Sequence, residues 1–167
     1  MEIRDAATFL TYWDRIRART LRVARHIPRD RIEWRPGEDR FSFGDLLRHL
    51  AAIERYMFAE NACRRPSRYP GHGRELADGY DEVFAFVERM HGEAVAMLGR
   101  LTPNDLRTSC TTPGGAQLTV WKWLRAMVEH EVHHRGQIYL YLGLLGVDSP
   151  PLYGLTEEQV AERSRVE

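Results

Sequence analysis

Residues 119–146 read TVWKWLRAMVEHEVHHRGQIYLYLGLLG, and this stretch carries most of the information about the architecture. Its apolar residues and two of its histidines recur every three or four positions, which is the spacing of one helix face. The positions on this face are Trp123, Met127, His130, His134, Ile138, Tyr141 and Leu145. The pattern predicts a helix over 119–145, ending at Gly146, that turns His130 and His134 toward the protein core.

Three more amphipathic segments precede this one, over residues 5–26, 42–61 and 75–101. The second of them begins with Ser42 followed by Asp45, a signal that resembles a capping box. Four helices with apolar stripes predict an all-α protein, a four-helix bundle, folded as one domain over residues 1–167. The stretch 62–74, which contains prolines and glycines, predicts a long crossover that lets the second and third helices run parallel.

Two shorter features complete the predicted architecture. Residues 108–117 include Pro113-Gly114-Gly115 and predict a turn-rich excursion with room for a short hairpin. Residues 156–163 predict one or two helical turns. No segment shows the alternating pattern of a long strand.

The overall composition excludes several classes of protein. Lysine plus arginine and aspartate plus glutamate both number 24, and this zero net charge argues against a duplex nucleic acid as partner. No apolar run reaches the length of a membrane span, and the charged start MEIRDAATF is unlike a signal peptide. Cys63 and Cys110 are isolated, so they predict neither a disulfide framework nor a cysteine metal site. We therefore expect a soluble, cytoplasmic protein with no membrane partner.

Three histidines fall on apolar stripes and suggest a metal site. His49 lies on the inward stripe of the second helix, while His130 and His134 lie on that of the fourth. Each buried imidazole has two nitrogens that need partners, and a shared divalent ion satisfies one nitrogen on every ring. The sequence thus predicts a site formed by His49, His130 and His134. Three protein ligands leave an open position, the arrangement of a catalytic ion.

The remaining histidines have simpler interpretations. His133 could replace His134 as the partner of His130, because residues three apart also share a helix face; otherwise it is peripheral. His26 lies near a helix C-terminus, His72 in the crossover and His91 on a predicted solvent face. We do not expect these last three to be ligands.

A protease interpretation competes for the same residues. HEVHH at 130–134 matches H-E-x-x-H, in which Glu131 would be the general base of a zinc protease. The metzincin extension H-E-x-x-H-x-x-G-x-x-H fails, because Gln137 stands where it requires glycine and Leu140 where it requires histidine. A later glutamate ligand could come only from Glu157 or Glu158, near the C-terminus. The absence of a predicted sheet also disfavours this interpretation.

Three sequence segments resemble the DinB/YfiT-like superfamily of metalloenzymes. They are EWRPG at 33–37 leading into FSFGDLLRHL at 41–50, HEVHHRGQ at 130–137, and YLGLLG at 141–146. The resemblance spans roughly residues 5–150. The combination of a histidine on the second helix with H-x-x-x-H-R-G-Q is more specific than either part.

The resemblance implies an up-down-down-up four-helix bundle, often a homodimer. It also implies a divalent metal on His49, His130 and His134, with zinc or nickel first and iron or manganese as alternatives. Members with known activities include transferases and isomerases that use low-molecular-weight thiols such as bacillithiol, mycothiol or glutathione. Some are amidohydrolase-like, and many have no established reaction.

The expected function is therefore that of a metal-dependent enzyme of the thiol S-transferase type, acting on a small-molecule substrate. A hydrolase using metal-bound water, a non-catalytic metal-binding stress protein and a scaffold with hydrogen-bonded histidines remain alternatives. No residue is assigned as catalytic, and Glu131 points away from its histidine neighbours. Candidate substrate contacts are Trp13, Trp123, Tyr139, Tyr141, Arg135 and Gln137.

Overall fold

The computed structural model describes residues 2–165. The helices are α1 (Ala6–Ala24), α2 (Phe43–Ile53), α3 (Ala59–Ala62), α4 (Tyr80–Leu98), α5 (Pro103–Arg107), α6 (Val120–Leu144) and α7 (Glu157–Arg163). A 3-10 turn covers Arg29–Arg31, and a π-helical turn at Glu54–Phe58 joins α2 to α3. Strands β1 (Ser109–Thr111) and β2 (Gln117–Thr119) form an antiparallel hairpin.

The start of α2 is fixed by a capping box. The hydroxyl of Ser42 accepts a hydrogen bond from the Asp45 backbone N–H at 3.0 Å, and the Asp45 carboxylate accepts one from the Ser42 N–H at 2.9 Å. These two bonds satisfy donors that every helix start leaves unpaired.

The long helices pack in two main pairs, with α2 against α4 and α1 against α6. Two apolar clusters fill the space between them, one around Phe43, Leu47 and Val87, the other around Trp13, Leu106 and Leu124. Helices α2 and α6 also contact each other. This third contact brings the histidines of both helices to one place.

The predicted helical class is confirmed, as are the capping box at Ser42, the short hairpin and the helix within 156–163. The direction order up-down-down-up stays a prediction. The third long helix begins at Tyr80, five positions later than predicted, because Gly79 has a φ of +86° that ends any helical continuation upstream. The same helix ends at Leu98, three positions earlier than predicted, and Pro103 occupies the first turn of α5.

Within residues 2–165, none of the helices combines the length and the apolar character needed to cross a membrane. The expected cellular location stays a prediction.

Candidate metal centre

Three imidazoles converge between α2 and α6. Nε2 of His130 lies 3.1 Å from Nε2 of His49 and 3.1 Å from Nε2 of His134. One ligand atom from each of the three residues lies within 4.8 Å of the others. The four-residue spacing of His130 and His134 places both on one face of α6, and the α2–α6 contact supplies His49. The structure thus brings together the three histidines singled out in the sequence.

The outer ring nitrogens of two of these histidines have hydrogen-bond partners. Nδ1 of His49 lies 2.7 Å from the hydroxyl of Tyr69, and Nδ1 of His134 lies 2.6 Å from Oε1 of Gln137. An amide oxygen only accepts hydrogen bonds, so His134 carries its proton on Nδ1. That tautomer leaves Nε2 with a free lone pair directed at the cluster. Partners of this kind orient the histidines of metal sites.

The cluster is electrically neutral at ordinary pH. Burial, reinforced by the neighbouring His134 and His130, lowers the pKa of His49 to about 3. Burial, with a contribution from His134, lowers the pKa of His130 to about 4. The pKa of His134 is also lowered, mainly by burial. Neutral imidazole is the form that binds metals, so the site is prepared for a cation without prior deprotonation.

The geometry fits a small divalent ion. Tetrahedral zinc with zinc–nitrogen bonds of about 2.0–2.1 Å holds its nitrogen ligands roughly 3.3 Å apart. Two of the three nitrogen pairs, at 3.1 Å, are already close to that value. The candidate ligand atoms of the third pair, His49 and His134, lie within 4.8 Å of each other. The residues present therefore fit a three-histidine ion with an open position, while the identity of the metal stays a prediction.

Residues of the crossover lie beside the cluster, and sequence reasoning missed them. The hydroxyl of Tyr69 lies 3.2 Å from Nδ1 of His72 as well as next to His49. The rings of Phe41 and His72 pack with centroids 4.2 Å apart, and Phe41 also lies edge-on to His49 at 5.5 Å. No periodicity marks these positions, because they lie in irregular segments whose contacts are long-range.

The other histidines lie outside the cluster. His133 is exposed, and only its ring edge approaches His134, with centroids 5.0 Å apart. His26 binds the Arg22 carbonyl near the end of α1. The expectation that His91 faces solvent is wrong. It is mostly buried, and its two nitrogens lie 3.0 Å from Glu54 and 3.1 Å from Asp14.

The candidate substrate contacts lie in varied surroundings. Trp13 is fully buried, and Tyr141 packs edge-on against Trp34 in the apolar core. Trp123 packs against Phe58 with centroids 4.5 Å apart, and Phe58 in turn lies beside the cluster. Arg135 is 3% exposed, Gln137 bonds to His134, and Tyr139 is partly exposed. Their roles toward a substrate stay predictions.

Glu131 is held on the side of α6 that faces α1. Its Oε2 accepts a hydrogen bond from the indole N–H of Trp13 at 3.0 Å and lies 3.5 Å from the guanidinium of Arg17. The side chain is only 3% exposed. A carboxylate bound in this way is poorly placed to serve as the general base of a protease.

A buried arginine fastens the segments around α2. The guanidinium of Arg48 donates two hydrogen bonds to Glu33, at 2.7 and 3.0 Å, and one to Asp45 at 2.7 Å. It also donates to the carbonyls of His72 and Ala77 in the crossover, at 2.8 and 3.0 Å. Arg48 therefore joins the loop before α2, the helix itself and the crossover that carries Tyr69.

Comparisons with known proteins agree with this architecture. The sequence model of the DinB superfamily matches residues 12–138. The chain is 25% identical over 136 residues to the uncharacterized protein YjoA of Bacillus subtilis strain 168, covering 80% of this chain and 86% of that protein.

Two solved structures share the fold. The crystal structure of the DinB-like protein YjoA from Bacillus subtilis has a TM-score of 0.70 at 21% identity, covering 88% of this chain and 97% of that one. A DinB-like protein from Bacillus cereus ATCC 10987 has a TM-score of 0.69 at 15% identity, with coverages of 86% and 94%. Since the family match extends over most of its length, this chain belongs to the DinB superfamily.

Proposed function

We propose that this protein is a metal-dependent enzyme that activates a low-molecular-weight thiol at His49, His130 and His134. The observation that carries the proposal is the convergence of three Nε2 atoms, with two separations of 3.1 Å. Three neutral imidazoles that direct their Nε2 atoms at one another cannot all be satisfied by one another, whereas a shared cation satisfies all three. Family membership supports the proposal, and the reaction type comes from the resemblance.

The ligand set suits activation of a weak nucleophile. A divalent ion held by uncharged imidazoles keeps its full positive charge, lowers the pKa of a bound thiol and so supplies a thiolate at neutral pH. In the proposed transfer, the thiol releases its proton to solvent, its sulfur forms a bond to an electrophilic carbon of the substrate, and the leaving group departs with the bonding electrons. Gln137 keeps His134 in the tautomer this chemistry needs, and the Tyr69 hydroxyl can accept the corresponding Nδ1 proton of His49.

Aromatic side chains beside the cluster limit the access of bulk water to it, which supports the proposed chemistry. Phe58 lies 5.8 Å from His130 by ring centroids, and Phe41, in the loop before α2, lies edge-on to His49. Apolar neighbours strengthen electrostatic interactions at a site, which favours the deprotonated thiol near a cation. Among the candidate substrate contacts, Trp123 is favoured because it packs directly on Phe58.

The same site supports a hydrolase that activates water, and this is the second candidate. The observation in its favour is the neutral, three-histidine donor set, which is also that of zinc enzymes using water as nucleophile. The two candidates differ in their need for a thiol. Hydrolysis of esters or amides by the zinc-loaded protein without a thiol would favour the hydrolase, and no turnover of any kind would favour a non-catalytic metal-binding protein.

Metal content is the first test. Untagged wild-type protein should contain one equivalent of zinc, nickel or iron by elemental mass spectrometry, and His49→Ala should lose it. His26→Ala is the matched control, since His26 bonds only to α1 and should leave metal content unchanged. If His49→Ala retains the metal, the ligands lie on α6 alone and His49 is not one of them. If the reconstituted wild type contains no metal, the proposal is wrong.

Thiol binding is the second test. Glutathione added to the cobalt-substituted protein should produce a sulfur-to-cobalt charge-transfer absorption, which is absent in His49→Ala. An unchanged cobalt spectrum with glutathione, and with other small thiols, would contradict thiol activation but not metal binding.

We further propose that α6 pairs with the α6 of a second copy, giving the homodimer expected from the resemblance. Val132 and Leu140, each four residues from Gly136, are 40% and 60% exposed. Antiparallel pairing centred on Gly136 would place Val132 of one copy opposite Leu140 of the other. Apart from the neighbouring residues and the backbone of α6 itself, no heavy atom of the described residues lies within 4 Å of the position a Gly136 Cβ would take, so the helices could approach closely there. We also propose the up-down-down-up order, supported by the long connection between α3 and α4.

A further inference from the structure

A small cavity of about 10 Å³ lies next to His130, between α1, the π-helical turn and α6. Its polar lining comes from Arg17, Glu54, His130 and Glu131. A volume of about 10–15 Å³ holds one water molecule, and a buried water needs two to four polar partners. The cavity therefore has the size and the lining of a site for a single water.

Three buried polar atoms of these lining residues have no hydrogen-bond partner among residues 2–165. They are Nε of Arg17, a donor, and two acceptors, Oε1 of Glu131 and Oε2 of Glu54. Oε2 of Glu54 forms an ion pair with Arg17, so Nε of Arg17 and Oε1 of Glu131 are the two that keep neither kind of partner. The other atoms of both side chains are engaged, since Arg17 pairs with Glu54 and the Trp13 indole donates to Oε2 of Glu131 at 3.0 Å. The two side chains are only 5% and 3% exposed, so bulk solvent does not satisfy the remaining atoms.

His130 differs from the other two histidines of the cluster. Nδ1 of His49 is bonded to Tyr69 and Nδ1 of His134 to Gln137. No protein partner for Nδ1 of His130 occurs in the described part of the chain. An imidazole that gives Nε2 to a metal ion carries its proton on Nδ1, and this proton needs an acceptor.

The backbone beside the cavity is also unusual. Glu54 and Phe58 are the first and last residues of the π-helical turn, and both line the cavity. Such turns widen a helix and occur often at functional sites. The π-helical turn begins at Glu54, the ion-pair partner of Arg17. It is therefore an indication, independent of the cavity, that this region has a functional role.

We propose that Glu131 is the positioning residue of His130 and acts through one water molecule in this cavity; the inference rests on the metal site proposed above. The water accepts hydrogen bonds from Nδ1–H of His130 and Nε–H of Arg17, and donates one to Oε1 of Glu131. All three ligands then have an oriented outer nitrogen. The cavity lining also carries two carboxylates, of Glu54 and Glu131, and one guanidinium, of Arg17. The resulting excess of one negative charge beside the uncharged imidazoles favours a bound cation.

The test compares zinc affinity and a proton signal in wild type and Glu131→Gln. The amide keeps the size of the side chain and can still accept from Trp13, but it lacks the charge. Competition with a chromophoric chelator should show a 10–100-fold loss of zinc affinity. In the zinc-loaded wild type, all three ligand Nδ1 protons should give slowly exchanging proton resonances. The His130 signal alone should disappear in Glu131→Gln.

His91→Ala is the matched control, because His91 bonds to Glu54 in the same buried network but does not line the cavity. It should lower stability while zinc affinity stays within twofold of wild type. If Glu131→Gln does not fold, Glu131→Asp, which keeps the charge but shortens the side chain, should show an intermediate loss of affinity. Wild-type affinity and an unchanged His130 signal in the folded Glu131 variant would overturn this inference alone. A wild type that binds no zinc would overturn it together with the proposed function.

Discussion

The hydroxyl of Tyr69 lies 2.7 Å from Nδ1 of His49, although Tyr69 belongs to the irregular crossover and His49 to α2. The same hydroxyl lies 3.2 Å from Nδ1 of His72. A hydroxyl both donates and accepts, so it can receive the His49 Nδ1 proton and pass a hydrogen bond to His72. The crossover thereby supplies the Nδ1 partner of a histidine that sequence periodicity alone places at the site.

Tyr69→Phe should therefore weaken metal binding without unfolding the protein. Loss of a partner of this kind reduces metal affinity by roughly 10–100-fold. The free energy of unfolding of the metal-free protein should change by only about 1 kcal/mol, the contribution of one hydrogen bond. Chelator competition and urea unfolding measure the two quantities. Tyr153→Phe, at a 77% exposed tyrosine, should leave both unchanged. Equal zinc affinity in Tyr69→Phe and wild type would contradict the proposed role.

Sequence periodicity was enough to place the three histidines. His130 and His134 are four residues apart, and His49 follows the apolar stripe led by Leu46. Helix faces are local properties, so a pattern of three and four residues identifies them without knowledge of the tertiary structure. The capping box at Ser42 was identified for the same reason, since it depends on neighbours three residues apart.

The partners of those histidines could not be predicted in this way. Tyr69 is 20 residues from His49, and Trp13 is 118 residues from Glu131. Contacts of this range follow from the packing of whole helices, which no local pattern encodes. The prediction for His91 fails for the same reason, since its partners Glu54 and Asp14 lie in the π-helical turn and in α1.

Arg48→Met should destabilise the protein strongly. The arginine is fully buried and paired with Glu33 and Asp45, so its removal leaves both carboxylates without their cationic partner. Breaking a buried pair from one side costs about 3–5 kcal/mol, and the partial exposure of Glu33 favours the lower end. Urea unfolding measures the loss. Arg74→Met, which removes an exposed pair with Asp78, should cost less than about 1 kcal/mol. Similar losses in the two variants would show that the Arg48 network does not stabilise the fold.

The same network should make stability fall in acid. Burial alone would raise the pKa of Glu33, but hydrogen bonds and charge from Arg48 outweigh it and hold the pKa below its ordinary value of 4.5. Burial alone would also raise the pKa of Asp45. Hydrogen bonds from Ser42 and Arg48 outweigh burial and hold the pKa of Asp45 below its ordinary value. Because the unfolded chain binds these protons more tightly, this stabilisation is present above about pH 4.5 and is lost as pH falls through the lower folded values. The difference in the free energy of unfolding between wild type and Arg48→Met, measured by urea unfolding, should therefore become smaller as the pH falls below about 4.5. A difference that does not change with pH would contradict the proposal that Arg48 stabilises the fold through its ion pairs with Glu33 and Asp45.

Leu140→Glu should convert the proposed dimer to a monomer. Antiparallel pairing about Gly136 would bury this acidic side chain against Val132 of the second copy, at a desolvation cost with no cationic partner. We expect at least a tenfold rise in the dimer dissociation constant, about 1.4 kcal/mol, by sedimentation equilibrium. Val160→Glu makes the same change at a 48% exposed position on α7 and should leave the dimer intact. A monomeric wild type, or a dimeric Leu140→Glu, would exclude this interface.

Zinc should raise the thermal stability of the wild type and not of His49→Ala. A ligand that binds only the folded state adds about 2.7 kcal/mol at a free concentration 100 times its dissociation constant. For a chain of this size, that corresponds to a rise in Tm of roughly 5–10 °C. His49 contributes the only ligand from α2, so without it His130 and His134 form an ordinary two-histidine pair on one helix, with weaker binding. Calorimetry with and without zinc measures the shift, and a chelator should reverse it. His26→Ala should keep the wild-type response. An equal shift in His49→Ala would mean that zinc stabilises the fold from a different set of ligands, and the site between α2 and α6 would have to be abandoned.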